Sequence, residues 1–454
     1  MTPPRHVAVI DVGKTNAKLA LVDLVSLSEI AVITRPNRVL PGPPYPHFDL
    51  DGHWQFFLEH LGAFHRSHGI DGISVTAHGA SAVLLDSEGA LATPMLDYEH
   101  DGPEESRTAY DRLRLAFAET GSPRLPLGLN LGAQLHWLLE RDPQLLSRCT
   151  HVVTYPQYWG HRLTGVAASD LCSLGCHTDL WRPDLGAPSA LVARLGLADR
   201  LAPARKPSDL LGPITAEVAR RTGLDPATPV LCGIHDSNAS LLPYLKGREG
   251  PFSVVSTGTW VIAMAMGAHP LPLDPARDTL VNVNALGQPV PSARFMGGRE
   301  YELMRSDSNP VAEDRAHVLA SGTMLLPAVV PESGPFAGRR HCWTSEPPSP
   351  GARSYALSLY LALMTRSCLD LIGAEGPAVV EGPFARNPDF LAMLAAVTPE
   401  GVEIAGSATG TSIGAALLFG GAPTSPTRAV PPPAAAEALR SYAARWRAAL
   451  DTQV

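Results

Sequence analysis

The chain has 454 residues, of which 45% are hydrophobic and 18% charged, which is enough apolar material for two domains and too little charge for general disorder. Its formal net charge is -8 and its basic residues are scattered, which argues against a nucleic-acid partner and against a membrane-surface partner. The first residues lack a signal-peptide pattern and no charge-free apolar run reaches a membrane-spanning length, so we expect a cytoplasmic protein.

The N-terminal part of the chain alternates strand patterns with helix patterns. Two β-branched and aliphatic runs between His6 and Asp23 flank the turn sequence DVGKTN and predict a hairpin. The apolar runs GISV and AVLLD, further along, predict two more strands. Helical patterns cover residues 54–66, 103–120 and 131–141. This alternation predicts an α/β fold.

The middle of the chain contains a predicted domain junction. A strand-like run over residues 230–234 is followed by His235 and Asp236 and then by small residues. The apolar runs FSVV and VIAMAM then flank the turn STGT, and this repeat of the first hairpin predicts a duplicated core. We therefore predict an N-terminal domain over residues 1–243 and a C-terminal domain over residues 244–424.

The last part of the chain contains two further helical patterns, over residues 355–372 and 388–397, with the strand-like AVVEG between them. The proline-rich segment 423–436 predicts a linker to a short terminal helix. Residues 425–454 are therefore predicted to lie outside both domains.

The turn after the first strand has the parts needed to hold a phosphate. Gly13 allows close backbone approach, while Thr15 and Asn16 supply hydrogen-bond donors. Lys18 adds a positive charge, and Asp11 at the strand end is placed to orient a hydrated Mg²⁺. An ordinary hairpin turn explains this sequence equally well when it is read alone. It is not a P-loop, because alanine stands where that motif needs its first glycine.

Several motifs follow one another along the chain. They are DVGKTNAK, GISVTAHGA, PQY with RLTG, CGIHDSNASL, STGTW and SATGTSIGAALL. In this order they resemble the motifs of the FGGY carbohydrate kinases, from about Val7 to Gly421, and are most similar to those of the rhamnulokinase, fuculokinase and xylulokinase types. The first and fifth resemble the family's two phosphate motifs, and the fourth resembles the loop that carries the catalytic aspartate. The last, Ser407 to Leu418, resembles the helix that closes the nucleotide site.

This resemblance implies a fold and an activity. The fold is α/β, with two ribonuclease H-like domains of the actin-like ATPase class and a nucleotide and sugar cleft between them. The activity is ATP-dependent phosphorylation of a hydroxyl of a small ketose or related polyol, with Asp236 as the general base. The implied cofactors are ATP and Mg²⁺, with the metal held by Asp11 and Asp236, and a homodimer is compatible with the resemblance.

The resemblance also implies roles for particular residues. Substrate binding falls to His78, Gly79, Glu99, Gln157 and His235. Binding of the nucleotide and its phosphates falls to Gly13, Thr15, Asn16, Lys18, Thr257, Gly258, Thr259, Gly382 and Asn387.

Two segments depart from the family's pattern. Pro383 and Phe384 fill positions that the family gives to glycine, so adenine is expected to be held loosely. The alternative is that Phe384 packs against the adenine face and restores selectivity for ATP. Glu99 stands where relatives have an aspartate near the sugar, and Asp101 stands where they have an arginine. The hydroxyl pattern of the substrate is therefore expected to differ from that of the standard ketoses.

The sequence leaves the substrate open among rhamnulose, fuculose, xylulose, ribulose and polyols such as glycerol or erythritol. Two other classes of protein also remain open. A non-catalytic sugar-sensing or scaffold protein of the same fold would explain the lost glycines near Gly382. A chaperone or filament protein of the actin-like class would share the phosphate hairpins, but the His78 loop and the pair of His235 and Asp236 are sugar-kinase features.

Overall fold

A computed structural model describes residues 4–406, 410–421 and 427–452 of the chain. It divides the chain into two compact units. The first unit comprises Met1–Arg248, Val281–Pro289 and Thr409–Thr424, and the second comprises Glu249–Leu280, Val290–Ala408 and Ser425–Val454. No helix of the described ranges combines the length and the apolar character that crossing a membrane requires.

Strands and helices alternate up to residue 248. The strands are β1 His6–Val12, β2 Asn16–Asp23, β3 Ser28–Pro36, β4 Val39–Leu40, β5 His47–Phe48, β6 Gly72–Ala77, β7 Ala82–Leu85, β8 His151–Thr154, β9 Ser169–Asp170, β10 Trp181–Arg182, β11 Ala187–Pro188, β12 Ala204–Arg205, β13 Leu210–Pro213, β14 Pro229–Leu231 and β15 Ile234–His235. The α-helices are α1 Leu50–His68, α2 Arg107–Leu113, α3 Phe117–Thr120, α4 Leu131–Arg141, α5 Leu145–Arg148, α6 Tyr155–Thr164, α7 Leu171–Leu174, α8 Ala190–Arg194, α9 Ala216–Thr222 and α10 Asp236–Gly247.

The rest of the chain continues the alternation. The strands are β16 Phe252–Thr257, β17 Val261–Met266, β18 Thr279–Val283, β19 Pro289–Phe295, β20 Leu325–Leu326, β21 Cys342–Trp343, β22 Ala378–Glu381, β23 Val402–Ala405 and β24 Thr427–Ala429. The α-helices are α11 Gly297–Met304, α12 Ala312–Ser321, α13 Pro350–Leu371, α14 Pro388–Val397, α15 Thr411–Ala416 and α16 Ala436–Thr452. Short 3₁₀ helices cover Gly102–Glu104, Pro275–Arg277, Pro383–Arg386 and Leu417–Phe419.

The main sheet of the first unit has the order β13-β14-β6-β1-β2-β3, with β15 also paired to β6. The predicted N-terminal hairpin is confirmed, because β1 and β2 are antiparallel and Asp11 pairs with Lys18. Strand β6 runs parallel to both β1 and β15. The carboxyl ends of these three strands therefore lie at the same edge of the sheet.

Helix α1 covers the first sheet because its sequence gives it one apolar face. Trp54, Phe57 and Leu61 recur at helical spacing and are buried in the core that holds β1, β2 and β6. Asp49 begins the helix by accepting a hydrogen bond from the backbone N–H of Gly52. Helices α4 and α14 begin and end at the residues predicted from the sequence.

The predicted helix over residues 103–120 is instead divided into a 3₁₀ helix, α2 and α3. Arg114 ends α2 with extended backbone dihedrals, φ −64° and ψ 155°. Its guanidinium donates to the fully buried carboxylate of Asp179, at 2.7 Å and 3.3 Å, and to the carbonyl of Ser122. Asp179 is distant from Arg114 in sequence, so the periodicity of residues 103–120 gave no sign that the helix is divided.

The main sheet of the C-terminal part has the order β18-β19-β17-β16-β22-β23-β24. Strands β16 and β17 form the predicted second hairpin, and the buried helix α13 packs in the same core. The proline-rich segment, whose residues 423–426 lie outside the described ranges, does not act only as a linker. Its strand β24 extends this sheet, and Trp446 of α16 is buried and donates to the carbonyl of Leu325 at 2.8 Å. Helix α16 is therefore part of the second unit.

Candidate active site

Three parallel strand ends bring the predicted catalytic residues together in the first unit. Val12 of β1 and His235 of β15 both pair with Ala77 at the end of β6. Asp11 precedes Val12, and His78 follows Ala77 directly. Side chains at the carboxyl ends of parallel strands are a common place for a ligand site.

Asp236 is the first residue of α10, directly after the end of β15. One of its carboxylate oxygens lies 3.3 Å from Nε2 of His235 and accepts a hydrogen bond from the backbone N–H of Ser237 at 2.6 Å. The side chain keeps 30% of its surface exposed. Burial, with a further contribution from the charge of Asp11, raises the pKa of Asp236 to about 6. A carboxylate in this state is suited to accept a proton near neutral pH.

Asp11 is buried at the end of β1 and is bound by both a cation and hydroxyl groups. Lys18 Nζ lies 3.1 Å from its Oδ2 atom and 3.2 Å from Oε1 of Glu29. The hydroxyls of Thr411 and Ser412 donate to the same Oδ2 atom, at 2.5 Å and 3.3 Å. Burial by itself lowers the pKa of Lys18, but Asp11 and Glu29 together raise it above its ordinary value. Lys18 is therefore a fully charged lysine at the phosphate turn.

Thr411 and Ser412 were not predicted as site residues. They follow Gly410 at the start of α15, inside the motif that resembles the helix closing the nucleotide site. The small polar run TGTS before an apolar helix was the signal that could have identified them. Of that motif, Ser407, Ala408 and Thr409 lie outside the described residues.

His78 is a buried neutral histidine in the same site. Its Nδ1 lies 2.9 Å from the carbonyl oxygen of Gly79, so Nδ1 carries the hydrogen and donates it. Burial lowers the pKa of His78 to about 4, so Nε2 is unprotonated at neutral pH. Within the described part of the chain, Nε2 has no hydrogen-bond partner. It is available to accept a hydrogen bond from a ligand.

Gly79 has a steric role beside these histidines. A Cβ atom at this position would lie 2.6 Å from Nε2 of His235, which is closer than real Cβ contacts allow. His235 is buried, and burial lowers its pKa to about 4. Glycine at position 79 therefore lets the His235 ring lie against the loop between β6 and β7.

Glu99 belongs to a charged cluster that the sequence indicated only in part. Lys14 Nζ contacts Oδ1 of Asp97 and lies 3.1 Å from Oε2 of Glu99. The same ammonium lies 4.7 Å from the ring centre of Tyr98 and 5.1 Å from that of Phe48. The ring of His78 lies 5.2 Å from Tyr98 and 5.3 Å from Phe48. Lys14 therefore points its charge to the His78 side of the site, although it lies in the phosphate turn.

Gln157 differs from His78 in that both ends of its side-chain amide are hydrogen-bonded within the protein. Its Nε2 donates to the carbonyls of Cys232 and Gly233, at 2.9 Å and 3.2 Å, and its Oε1 accepts from Thr154. The side chain is fully buried. Its hydrogen bonds hold the segment that leads into β15, so its contribution to the site is to position His235 and Asp236.

The turn between β1 and β2 is held by backbone contacts. The N–H of Gly13 donates to the carbonyl of Asn16 at 2.9 Å, and Asn37 donates to the carbonyl of Gly13 at 2.8 Å. The side chains of Asn16 and Thr15 are exposed and lie 3.2 Å apart. Their donor groups remain accessible to an anion.

The second unit contains the other predicted phosphate turn, after β16. Thr257 Oγ1 donates to the carbonyl of Glu381 at 2.5 Å and accepts from the backbone N–H of Phe384 at 3.1 Å. Gly382 has φ 83°, and a Cβ there would lie 2.0 Å from the carbonyl oxygen of Thr257. The turn that contains Gly258 and Thr259 and the turn after β22 are therefore joined at Thr257.

A cavity of about 990 Å³ lies beside these turns, and Gly258, Thr259, Arg299, Phe384, Arg386 and Asn387 are among its lining residues. Asn387 begins α14, and its Oδ1 accepts from the backbone N–H groups of Asp389 and Phe390 at 3.1 Å and 3.0 Å. Phe384 is only 6% exposed and packs against Tyr301 and Phe390, with ring centres 6.0 Å and 5.3 Å away. Phe384 therefore belongs mainly to the core.

Asp11 and Asp236 are carboxylates, which is the ligand type that a divalent cation takes. Among the described residues, no three or more histidine, cysteine, aspartate or glutamate side chains form a metal-binding group. Mg²⁺ needs fewer protein ligands, because it usually keeps waters and binds one or two carboxylates together with phosphates. The charge of Asp11 disfavours ionisation of Asp236, and a cation near both would relieve that repulsion.

Two family models match the chain, one in each half. Residues 6–243 match the model of the FGGY family of carbohydrate kinases, N-terminal domain, and residues 249–428 match that of Carbohydrate kinase FGGY, C-terminal domain. The chain is similar to L-fuculokinase from Escherichia coli strain K12, with 27% identity over 279 residues. This match covers 58% of the chain and 57% of that relative, so the chain spans little more than half the length of such relatives.

The fold has close counterparts among solved structures. A carbohydrate kinase from Novosphingobium aromaticivorans superposes with a TM-score of 0.92 and 39% identity, covering 97% of this chain and 99% of the other. A xylulose kinase from Rhodospirillum rubrum superposes with a TM-score of 0.78 at 23% identity, covering 99% of each chain. These likenesses confirm the predicted two-domain α/β fold of the actin-like ATPase class.

Proposed function

The chain belongs to the FGGY family of carbohydrate kinases, and on this premise we propose that it transfers the γ-phosphoryl group of ATP to a hydroxyl of a small ketose or related polyol. The observation that carries this proposal is the environment of the Asp236 carboxylate. A partly exposed carboxylate with a pKa near neutrality stands at a strand end beside two buried histidines and Asp11. Phosphoryl transfer to an alcohol needs such a proton acceptor and little other covalent chemistry from the protein.

In the proposed reaction, Asp236 accepts the proton of the attacking hydroxyl as that oxygen bonds to the γ-phosphorus. The bond from the γ-phosphorus to the bridging oxygen breaks, and ADP leaves with the electron pair. Asp236 then releases its proton to water. The hydrogen bond from Ser237 N–H fixes one carboxylate oxygen, which limits how far the base can rotate.

The sugar is proposed to bind through His78, His235 and Glu99. Neutral His78 accepts a hydrogen bond from a substrate hydroxyl at Nε2, while Gly79 leaves space for His235. Gln157 is proposed to act indirectly, because it holds the Cys232–Gly233 segment that leads to His235. These groups orient a hydroxyl toward Asp236, and orientation supplies much of the rate in a reaction of this type.

Each of the two predicted turns is proposed to bind phosphate oxygens. Gly13, Thr15, Asn16 and Lys18 form the first turn, and Thr257, Gly258 and Thr259 form the second. Asn387 lines the cavity of the second unit, which is the proposed place of the nucleoside, and Gly382 lies against Thr257 at the start of the neighbouring turn. Mg²⁺, when held by Asp11 and Asp236, would neutralise charge on the phosphate oxygens.

A coupled assay of ADP release tests the proposed function directly. The full chain is incubated with ATP, Mg²⁺ and one candidate at a time: L-rhamnulose, L-fuculose, xylulose, ribulose, glycerol or erythritol. We expect at least one compound to stimulate turnover about tenfold or more above the rate without sugar, because a bound hydroxyl replaces water as acceptor. Sugar binding without any stimulation would support a sensor protein instead.

The pH dependence of turnover follows from the raised pKa of Asp236. A general base must be deprotonated in the free enzyme, so kcat/KM is expected to rise with pH through an apparent pKa of about 6 and then level off. Rates measured between pH 4.5 and 8 with the best substrate check this. A kcat/KM that stays constant down to about pH 4.5, below the raised pKa, would contradict the role of Asp236.

A further inference from the structure

The wall of the proposed sugar site contains a charged cluster made of Lys14, Asp97 and Glu99. Lys14 Nζ contacts Asp97 and lies 3.1 Å from Glu99, and the cation also lies over the rings of Tyr98 and Phe48. The exposed fractions of the side chains are 22% for Lys14, 10% for Asp97 and 58% for Glu99. The ammonium is thus surrounded by groups that already neutralise it.

The cluster carries an excess of negative charge. One ammonium faces two carboxylates, so the formal charge of the three residues is -1. The cluster itself therefore presents a net negative charge to a ligand that binds beside it.

The hydrogen-bonding groups favour donors on the ligand. Nε2 of His78 is buried, unprotonated and without a partner within the described residues, so it can accept a hydrogen bond but not donate one. Carboxylates likewise only accept. Hydroxyl groups can donate to all of these atoms, whereas a ligand carboxylate would place acceptors against acceptors.

We propose that this wall makes the enzyme select uncharged polyhydroxy compounds and reject sugar acids of the same length, with Glu99 as a specificity-determining residue. The inference rests on the proposed function, because it assigns the substrate class of the same site. Lys14 does not favour binding of a substrate carboxylate, because Asp97 and Glu99 already neutralise its positive charge. Two like charges about 5 Å apart near a protein surface repel strongly enough for about a hundredfold discrimination.

The test uses pairs of ligands of equal chain length in which one terminal hydroxymethyl group is replaced by a carboxylate: erythritol with erythronate, ribitol with ribonate, and xylitol with xylonate. Binding is measured by titration calorimetry, and turnover by ADP release, for the full chain and for Glu99→Gln. We expect the unmodified protein to prefer the neutral member of a pair about a hundredfold or more. Glu99→Gln is expected to reduce that preference about tenfold, since Glu99 is largely exposed and partly screened by salt.

Glu59→Gln is the matched control, because Glu59 is an exposed residue of α1 in the same unit and its loss should leave the preference unchanged. Preference values within about threefold of each other for the two variants would overturn the inference, as would binding of a sugar acid as tightly as its neutral partner. A neutral compound that binds with the expected preference but is never phosphorylated would refute the proposed function and leave the inference standing. Failure of every neutral compound, including the ketoses, to bind would overturn both.

Discussion

Asp236→Asn is expected to abolish sugar-dependent turnover, a loss of about a thousandfold or more, while the affinities for sugar and ATP stay within about tenfold. Asparagine has the shape of aspartate and can still accept the hydrogen bond from Ser237, so the loop keeps its place. It cannot take the proton of the attacking hydroxyl. Single-turnover rates and calorimetric titrations of both ligands separate these two effects.

The stability of Asp236→Asn supplies an internal check. Because the pKa of Asp236 is raised from 3.8 to about 6 on folding, the folded state prefers the protonated form, and stability is lost as pH rises through this window. The neutral amide removes that loss, so the variant should unfold at the same temperature as the unmodified protein or higher at pH 7. Asp199→Asn, at an exposed position of the same unit, is the control. Turnover retained in Asp236→Asn with binding lost would contradict the assignment of Asp236 as base.

Gly382→Ala is expected to destabilise the second unit by about 2–4 kcal/mol and to raise the KM for ATP about tenfold or more. Gly382 has φ 83°, and an added Cβ would lie 2.0 Å from the backbone carbonyl of Thr257, which cannot move without moving the phosphate turn. The KM for sugar should change much less. Urea unfolding together with KM values for both substrates measures the effect.

Gly338→Ala is a closely matched control in the same unit. Gly338 has φ 86°, but a Cβ there meets nothing within 4 Å, so the substitution introduces left-handed strain of about 1 kcal/mol without a collision. The difference between the two variants isolates the contact between Gly382 and Thr257. Equal effects of the two substitutions would show that this contact does not hold the turns together.

The sequence predicted those parts of the fold and site whose signal is local. The two hairpins, α4 and α14 follow from period and turn residues, and the strand-end position of Asp236 follows from the apolar run that precedes it. The order of motifs along the chain then identified the family. No distant contact was needed for these predictions.

The parts that were missed depend on partners far apart in the chain. Lys14 lies in the predicted phosphate turn and was given no role of its own, and Asp97, 83 residues away, holds its ammonium on the His78 side of the site. Thr411 reaches Asp11 across 400 residues. No periodicity or spacing encodes such contacts, because they arise only when the sheet is assembled.

Side-chain roles were equally hard to predict where the fold itself uses a polar group. Gln157 and Asn387 stand at the motif positions expected for ligand contacts, and these roles stay predictions. The fold also uses both side chains, because Gln157 holds the segment before β15 and Asn387 caps α14. The proline-rich segment misled for a related reason. Three residues of this segment that are not proline, Thr427–Ala429, form the edge strand β24, and the apolar face of α16 was the signal that this helix docks.

The most direct test of the proposed function follows the phosphorus atom itself. The full chain is incubated with ATP, Mg²⁺ and the sugar that gives the highest ADP release, and the products are recorded by ³¹P nuclear magnetic resonance. The proposed function predicts a phosphate monoester of the sugar in equal amount to the ADP formed. Release of ADP with inorganic phosphate alone, whichever sugar is present, would contradict it.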